Sequence, residues 1–309
     1  MCFNFKPRLI ISFFCAVTGS LAIGVNISVL NLLENFINCW YLHLDKKSGN
    51  YTETYQITCQ NATELSKNGE FETYAFRWSA VSSAALFGGM LAIVFVPIID
   101  RYGRLTAVRF SIILALTGVG LQAIAFYINS YIALLVGRLV FGFQLGIGVM
   151  VYPVYFIEIA PETYKSVFGM CFGMFVNFGI LVSMVAGLES VFGNVDKWQY
   201  MLISPLPIYL VQLVFSIFSI ESPSWQRNYG RIEQAKVSEK LLYGFEVFQS
   251  NVDVIQVDIY HKNDFWKNYW KTVKECYTVK AVRNKIFVCT VLRAFQMSSS
   301  IQLQWRCAN

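Results

Sequence analysis

The sequence predicts an all-α membrane protein, and two observations carry that reading. Six apolar stretches fill residues 9–220, and a seventh begins near Ile286. Each of the six is about 20 residues long, enough to cross a hydrocarbon core as helix. The composition agrees, at 55% hydrophobic and only 14% charged, more apolar and less charged than a soluble chain. A net charge of +6 would suggest nucleic acid in a soluble protein. Here most of the basic residues fall between the apolar stretches, where membrane orientation explains them, so no nucleic-acid partner is expected.

The predicted spans are residues 9–33, 78–99, 105–128, 131–156, 167–188 and 201–220. The first is too long for a cleaved signal core and has no small-residue cleavage site, so it is expected to be retained. Lys6 and Arg8 precede it, and Arg101, Arg104 and Arg109 lie around the turn after the second span. Eleven Lys/Arg lie between Arg227 and Lys285. An excess of Lys/Arg marks the cytoplasmic side, which places the N-terminus inside and the long segment 34–77 outside. That segment carries two glycosylation sequons, at Asn50 and Asn61. Trp40, Trp78, Tyr127, Tyr131, Trp198 and Tyr200 fall at the predicted outer boundaries, as an aromatic belt would.

Of the eight cysteines, Cys15, Cys171 and Cys289 lie in spans and read as small apolar fillers. Cys39 and Cys59 are the two in the outer segment, an oxidising compartment, and are candidates for a disulfide. Spacing alone does not set its geometry.

Beyond the sixth span, residues 232–243 have helical periodicity, and Gly244 stands where a helix would stop. The expected organisation is a six-helix bundle over 1–220, a cytoplasmic helical linker over 221–285, and the start of a second half over 286–309. The seventh segment is polar after Leu292, with Arg293 and Gln296 inside it. A central Arg there costs about 2.5–3.5 kcal/mol on insertion scales.

Nothing points to an enzyme. His43 and His261 are the only histidines, and both lie in loops. No phosphate-cradling Gly-x-x-x-x-Gly-Lys loop exists. No metal or cofactor is expected. The chemistry that remains sits at the span boundaries. Asp100-Arg101-Tyr-Gly103-Arg104 joins two antiparallel spans through a tight turn, in which Gly103 supplies backbone freedom. Gly137-Arg138-Leu-Val-Phe-Gly142 opens the fourth span, with small residues spaced for close helix contact. Glu158-Ile-Ala-Pro161 closes it, with Pro161 ending the helix and Glu158 expected beside Arg104. Lys165 follows, and Glu221-Ser-Pro223-Ser-Trp225 closes the sixth span.

In this order, these residues resemble the facilitative sugar transporters of the major facilitator superfamily. Gly19-Ser-Leu-Ala-Ile-Gly-Val-Asn26 is similar to the family's first-helix motif. The Asp100 turn, the Gly137–Pro161 run, the loop from Gly187 to Asn194 and Glu221-Ser-Pro223 each match a family motif in turn. The resemblance implies a six-helix half of the major facilitator fold, with a cytoplasmic helical segment and a seventh, incomplete transmembrane segment. It implies substrate contacts at Asn26, Gln296 and Gln302, and an inner gate of Asp100, Arg101, Arg104, Arg138, Glu158, Lys165 and Glu221. There are departures. Leu105, Lys165-Ser166 and Ser224 replace motif residues, Met297 stands beside Gln296, and a fifth-helix glutamine of the family falls on Gly173.

The function expected is passive, facilitated diffusion of a hexose or polyol across the plasma membrane by alternating access, through a chain that looks incomplete. One alternative is a non-transporting partner or regulator of a full-length relative. Another is a half-transporter that pairs with a second copy.

Overall fold

The computed structural model describes residues 6–46, 72–188, 190–194 and 197–244, together with Lys274 and Thr278. Among the described residues every element is helical. α1 runs Pro7–Leu32, α2 Glu34–Lys46, α3 Glu72–Asp100, α4 Arg104–Tyr127 and α5 Tyr131–Ile159. A 3-10 turn at Glu162–Tyr164 leads into α6, Lys165–Ala186. Then follow α7 (Trp198–Ile203), α8 (Pro205–Phe218), α9 (Pro223–Asn228) and α10 (Ile232–Tyr243). Five described segments are long and apolar enough to cross a bilayer: Pro7–Leu30, Arg104–Tyr127, Tyr131–Ile159, Glu162–Ala186 and Trp198–Phe218. The predicted second span, 78–99, falls within the 29-residue α3.

Local chemistry sets the helix ends. Pro7 opens α1, where a missing N–H costs nothing. Ser130 caps α5 by accepting from the Ala133 amide. Asn129, at φ 51°, makes the tight turn between α4 and α5. Gly244, at φ 84°, stops α10, and its amide bonds the Lys240 carbonyl. The predicted sixth span arrives in two pieces. Ser204 keeps helical angles, but Pro205 has no N–H to continue the ladder, so α7 ends at Ile203 and α8 starts afresh.

The packing repeats within the bundle. α1 lies against α6 and α8, and α5 lies against α3 and α4. Exchanging α1 with α5, α3 with α6 and α4 with α8 leaves this pattern unchanged. Two sets of three spanning helices, α1–α3–α4 and α5–α6–α8, are therefore arranged alike, as nested three-helix repeats are. Glycines permit both central crossings. A side chain at Gly24 would strike the Val176 carbonyl of α6, and one at Gly179 would strike the Leu21 carbonyl of α1. Likewise a side chain at Gly142 would strike the Ala85 carbonyl of α3, and one at Gly88 the Leu139 carbonyl of α5. These are equivalent places in the two sets, and at each the backbones touch.

Two units emerge, Met1–Asn251 and Val252–Asn309. α9 and α10 thus group with the spanning helices rather than with the residues that follow. α10 buries Ala235, Ser238, Glu239 and Leu242, and Leu242 joins Leu9, Phe156 and Ile159 in one apolar cluster. At the opposite end Trp40 and Trp198 are 2% and 1% exposed. They belong to an apolar cluster with Leu33, Ile37 and Leu134, and do not line a lipid-facing belt. Phe126 lies edge-on to Trp198 at 5.4 Å and explains that burial, because a T-shaped contact holds the indole inward.

Gly142→Val forces Cβ into the Ala85 carbonyl and is expected to destabilise the bundle by about 1–3 kcal/mol. Gly120→Ala, where an added Cβ meets nothing within 4 Å, is expected to be neutral or to stabilise by about 0.5–1 kcal/mol. Thermal unfolding of the purified variants in one detergent checks both.

Candidate functional site at the charged end of the bundle

The end formed by the starts of α1, α4 and α6 and the ends of α5 and α8 carries the ionic chemistry. α3 stops at Asp100, and the chain turns through Arg101 and Tyr102. Gly103 then adopts φ 112°, a region that L side chains rarely enter. That conformation aims the start of α4 at Glu221. The Glu221 carboxylate accepts from the Leu105 amide at 3.0 and 3.1 Å and from the Ser222 amide at 2.9 Å. A carboxylate at a helix N-terminus satisfies orphan N–H groups and meets the positive end of the helix dipole. Burial raises the Glu221 carboxyl above its ordinary value, and the amides of Ser222, Leu105 and Arg104 oppose that rise. Gly103 packs so closely beneath Glu221 that a side chain there would overlap the carboxylate.

Arg104, the first residue of α4, forms a two-pronged ion pair with Glu158 near the end of α5. Its Nε donates to Oε2 and its Nη2 to Oε1, both at 3.0 Å. The side chains are 18% and 15% exposed, so the pair is more sheltered than an ordinary surface bridge. The planar guanidinium fits this parallel geometry where an ammonium would not. Sequence reasoning placed Glu158 beside Arg104, and the structure brings the two together.

The other expected gate residues scatter. Asp100 ends α3, and its side chain lies outside the described residues. Arg101 sits half-buried in the turn. Lys165 pairs with Glu162 at 2.6 Å, one turn away on the surface. Arg138 lies on α5 twenty residues before Glu158, about 30 Å of helix away, so it is not part of this end. Instead Arg138 is buried at 2% exposure. Its Nη1 donates to the Asn26 Oδ1 at 3.3 Å. Asn26, expected to touch substrate, is itself 2% exposed and faces this guanidinium.

Several partners at the charged end gave no sequence signal. Arg8 and Arg109 donate to the Phe218 and Ser216 carbonyls at 2.9 Å, satisfying orphan groups at the end of α8. The Tyr155 hydroxyl donates to the Ile220 carbonyl at 2.6 Å, and the Ile220 amide donates to the Ser12 hydroxyl at 3.1 Å. Tyr243 of α10 donates to the Ile159 and Ala160 carbonyls at 3.2 and 3.4 Å. Burial pushes that phenol up to about 12, so it stays a neutral donor. Arg227 and Glu239 pair between α9 and α10. Arg231 lies over the Trp225 ring at 5.1 Å.

Deeper in the bundle, Tyr152 bonds the Ser111 hydroxyl at 3.0 Å and accepts from Gln212 Nε2 at 2.8 Å. Gly19 leaves the room for this group, since a Cβ there would lie 2.6 Å from the Tyr152 ring. These residues look unremarkable in sequence, and the signal they carried was a polar side chain, Gln212, in an otherwise apolar run. Gly173 is open, with nothing within 4 Å of an added Cβ. Gln296, Gln302, Asn50, Asn61 and Cys59 lie outside the described residues. Cys39 is disulfide-bonded.

The family profile described as "Sugar (and other) transporter" matches residues 12–305. The chain is 29% identical over 307 residues to the "Solute carrier family 2, facilitated glucose transporter member 2" of Rattus norvegicus, covering 93% of this chain and 58% of that one. It is 30% identical over 246 residues to member 4 of Mus musculus, covering 77% of this chain and 45% of that protein. The chain thus spans about half the length of these curated relatives. Among solved structures it is similar to the major facilitator superfamily proton:xylose symporter XylE bound to 6-bromo-6-deoxy-D-glucose. The TM-score is 0.58 at 18% identity, over 76% of this chain and 50% of that one. An inward open conformation of the xylose transporter XylE from E. coli gives 0.54 at 18% identity, over 88% of this chain and 56% of that one. Identity this low speaks for the fold alone.

Removing either partner of the Arg104–Glu158 pair leaves a sheltered charge unpaired, so Arg104→Ala and Glu158→Ala are each expected to cost about 1–3 kcal/mol. The double variant is expected to lose less than the sum, and Arg104→Lys to rescue only part. A double-mutant cycle on the unfolding free energy checks this. Glu221→Ala is expected to cost about 0.5–2 kcal/mol through the lost helix cap.

Proposed function

Because the chain belongs to the sugar (and other) transporter family and has the major facilitator fold, we propose that it takes part in the passive, facilitated diffusion of a hexose or related polyol across the plasma membrane. The observation that carries this reading is the pairing at the charged end. Arg104 belongs to one three-helix set and Glu158 to the other. Glu221, following α8, caps α4 across the same boundary. The two sets are tied into one body at this end. Such a body is what rocks as a unit in alternating access, and it supplies one wall of a midplane path. A second unit of the same kind supplies the facing wall.

The chemistry of the interior favours passive movement. The acidic side chain buried among the described residues is Glu239, on α10 outside the spanning helices. In the spans, the buried cation Arg138 faces the neutral amide of Asn26. A proton-driven carrier needs a titratable group within its path, and no described span buries a carboxylate. The substrate-facing polar groups are assigned to Gln296 and Gln302, whose amides suit sugar hydroxyls. Asn50 and Asn61 are assigned as glycosylated positions on the outer side. The N-terminus is assigned to the cytoplasm, in keeping with Lys6, Arg8 and the basic turn after α3.

Uptake of labelled hexoses and polyols into proteoliposomes containing the full chain tests this. Saturable uptake is expected, reduced at least tenfold in Gln296→Ala, and an imposed pH gradient is expected to drive no accumulation. Uptake that never saturates overturns the transport reading. Accumulation that follows the pH gradient overturns the passive one.

A further inference from the structure

Arg138 is sealed inside the bundle without a counter-charge. It is 2% exposed. Its Nη1 reaches Asn26 at 3.3 Å to Oδ1 and 3.5 Å to the backbone oxygen, at or beyond the long end of hydrogen bonding. The Phe141 ring lies 6.0 Å from the guanidinium carbon and offers one face. Its Nε and Nη2 have no partner. Among the described residues no carboxylate pairs with it. Enclosing a cation this way costs several kcal/mol unless something compensates.

The surroundings name the kind of compensation. Asn26 Nδ2 and the Tyr41 hydroxyl are also buried and unpartnered. Tyr41 is 0% exposed and packs in one cluster with Val25 and Val29 of α1 and Leu134 of α5, the residues around Asn26 and Arg138. Four unpartnered atoms, Arg138 Nε and Nη2, Asn26 Nδ2 and Tyr41 Oη, can all donate, and three of them cannot accept. Water offers donors and acceptors equally and brings no charge. A set of donors around a positive charge selects an anion, and enclosure selects a small one.

We propose that Arg138, Asn26 and Tyr41 form a buried site for a small inorganic anion, chloride in a cellular setting. The ion neutralises the guanidinium and ties α1, α2 and α5 together near the end opposite the Arg104–Glu158 pair. An amide rather than a carboxylate at position 26 leaves the negative charge to be supplied from solution. The inference concerns stability and does not rest on the transport reading.

The test is thermal unfolding of the purified full chain in sodium chloride against sodium gluconate at equal ionic strength, since gluconate is too large to be enclosed. The midpoint is expected to rise with chloride and saturate. In Asn26→Asp the new carboxylate takes the place of the ion. The midpoint in gluconate is then expected to match or exceed that of the wild type in chloride, with no further chloride response. Arg138→Gln is expected to lose the response too. Chloride-35 line broadening by the wild-type protein, absent with Asn26→Asp or Arg138→Gln at the same chloride concentration, reports binding directly and decides the question where thermal midpoints do not. Equal midpoints in the two salts without line broadening overturn the proposal, as does an unchanged chloride response in Asn26→Asp.

Discussion

The close approach of helix backbones at Gly24 with Gly179 and at Gly88 with Gly142 is the constraint on which the rest of this bundle depends. In lipid, apolar side chains gain little by leaving one apolar surface for another, so helices associate through packing and through polar contacts. The two glycine crossings set α1 against α6 and α5 against α3. They make α1 and α5 the central pair. Two polar contacts described above need that pair in place. Asn26 meets Arg138 because α1 lies on α5, and Arg104 meets Glu158 because α4 lies on the same helix.

The two ends of the bundle are closed by different chemistry. At one, charges and helix termini complete each other. Glu221 caps α4, Arg8 and Arg109 take up carbonyls at the end of α8, and α10 docks through Tyr243. At the other, Trp40, Phe126 and Trp198 pack edge and face with Leu33 and Leu134. Hydrogen bonds and ion pairs exchange readily with water and with new partners, whereas an interlocked aromatic cluster must be pulled apart. Both ends tie the two three-helix sets together, the ionic end through contacts that salt and water weaken and the aromatic end through packing that they do not.

Much of the fold was legible in the residues. Runs of about 20 apolar residues gave the spans, Pro7 and Gly244 marked helix ends, and the Asp100 and Glu158 motifs predicted a pair that forms. The site was legible only in part. Arg104, Glu158 and Glu221 stand where their motifs put them, at helix termini, because termini are local features. Arg138 was grouped with them by charge, yet it sits in the middle of packed helices. Trp40 and Trp198 were expected to face lipid, and they face each other's neighbours. Neither position carries a local mark of which way its side chain turns.

By itself the sequence determined that this chain spans a bilayer as a set of helices, and which stretches of it do so. Apolar length, proline, glycine and charge act within a few residues of where they stand. Tertiary structure alone decided which helices touch, that Arg8 and Arg109 serve the end of α8, and that Arg138 is enclosed with Asn26 and Tyr41. Those outcomes depend on residues far apart in the chain. In a segment apolar on every side, periodicity does not say which face turns inward.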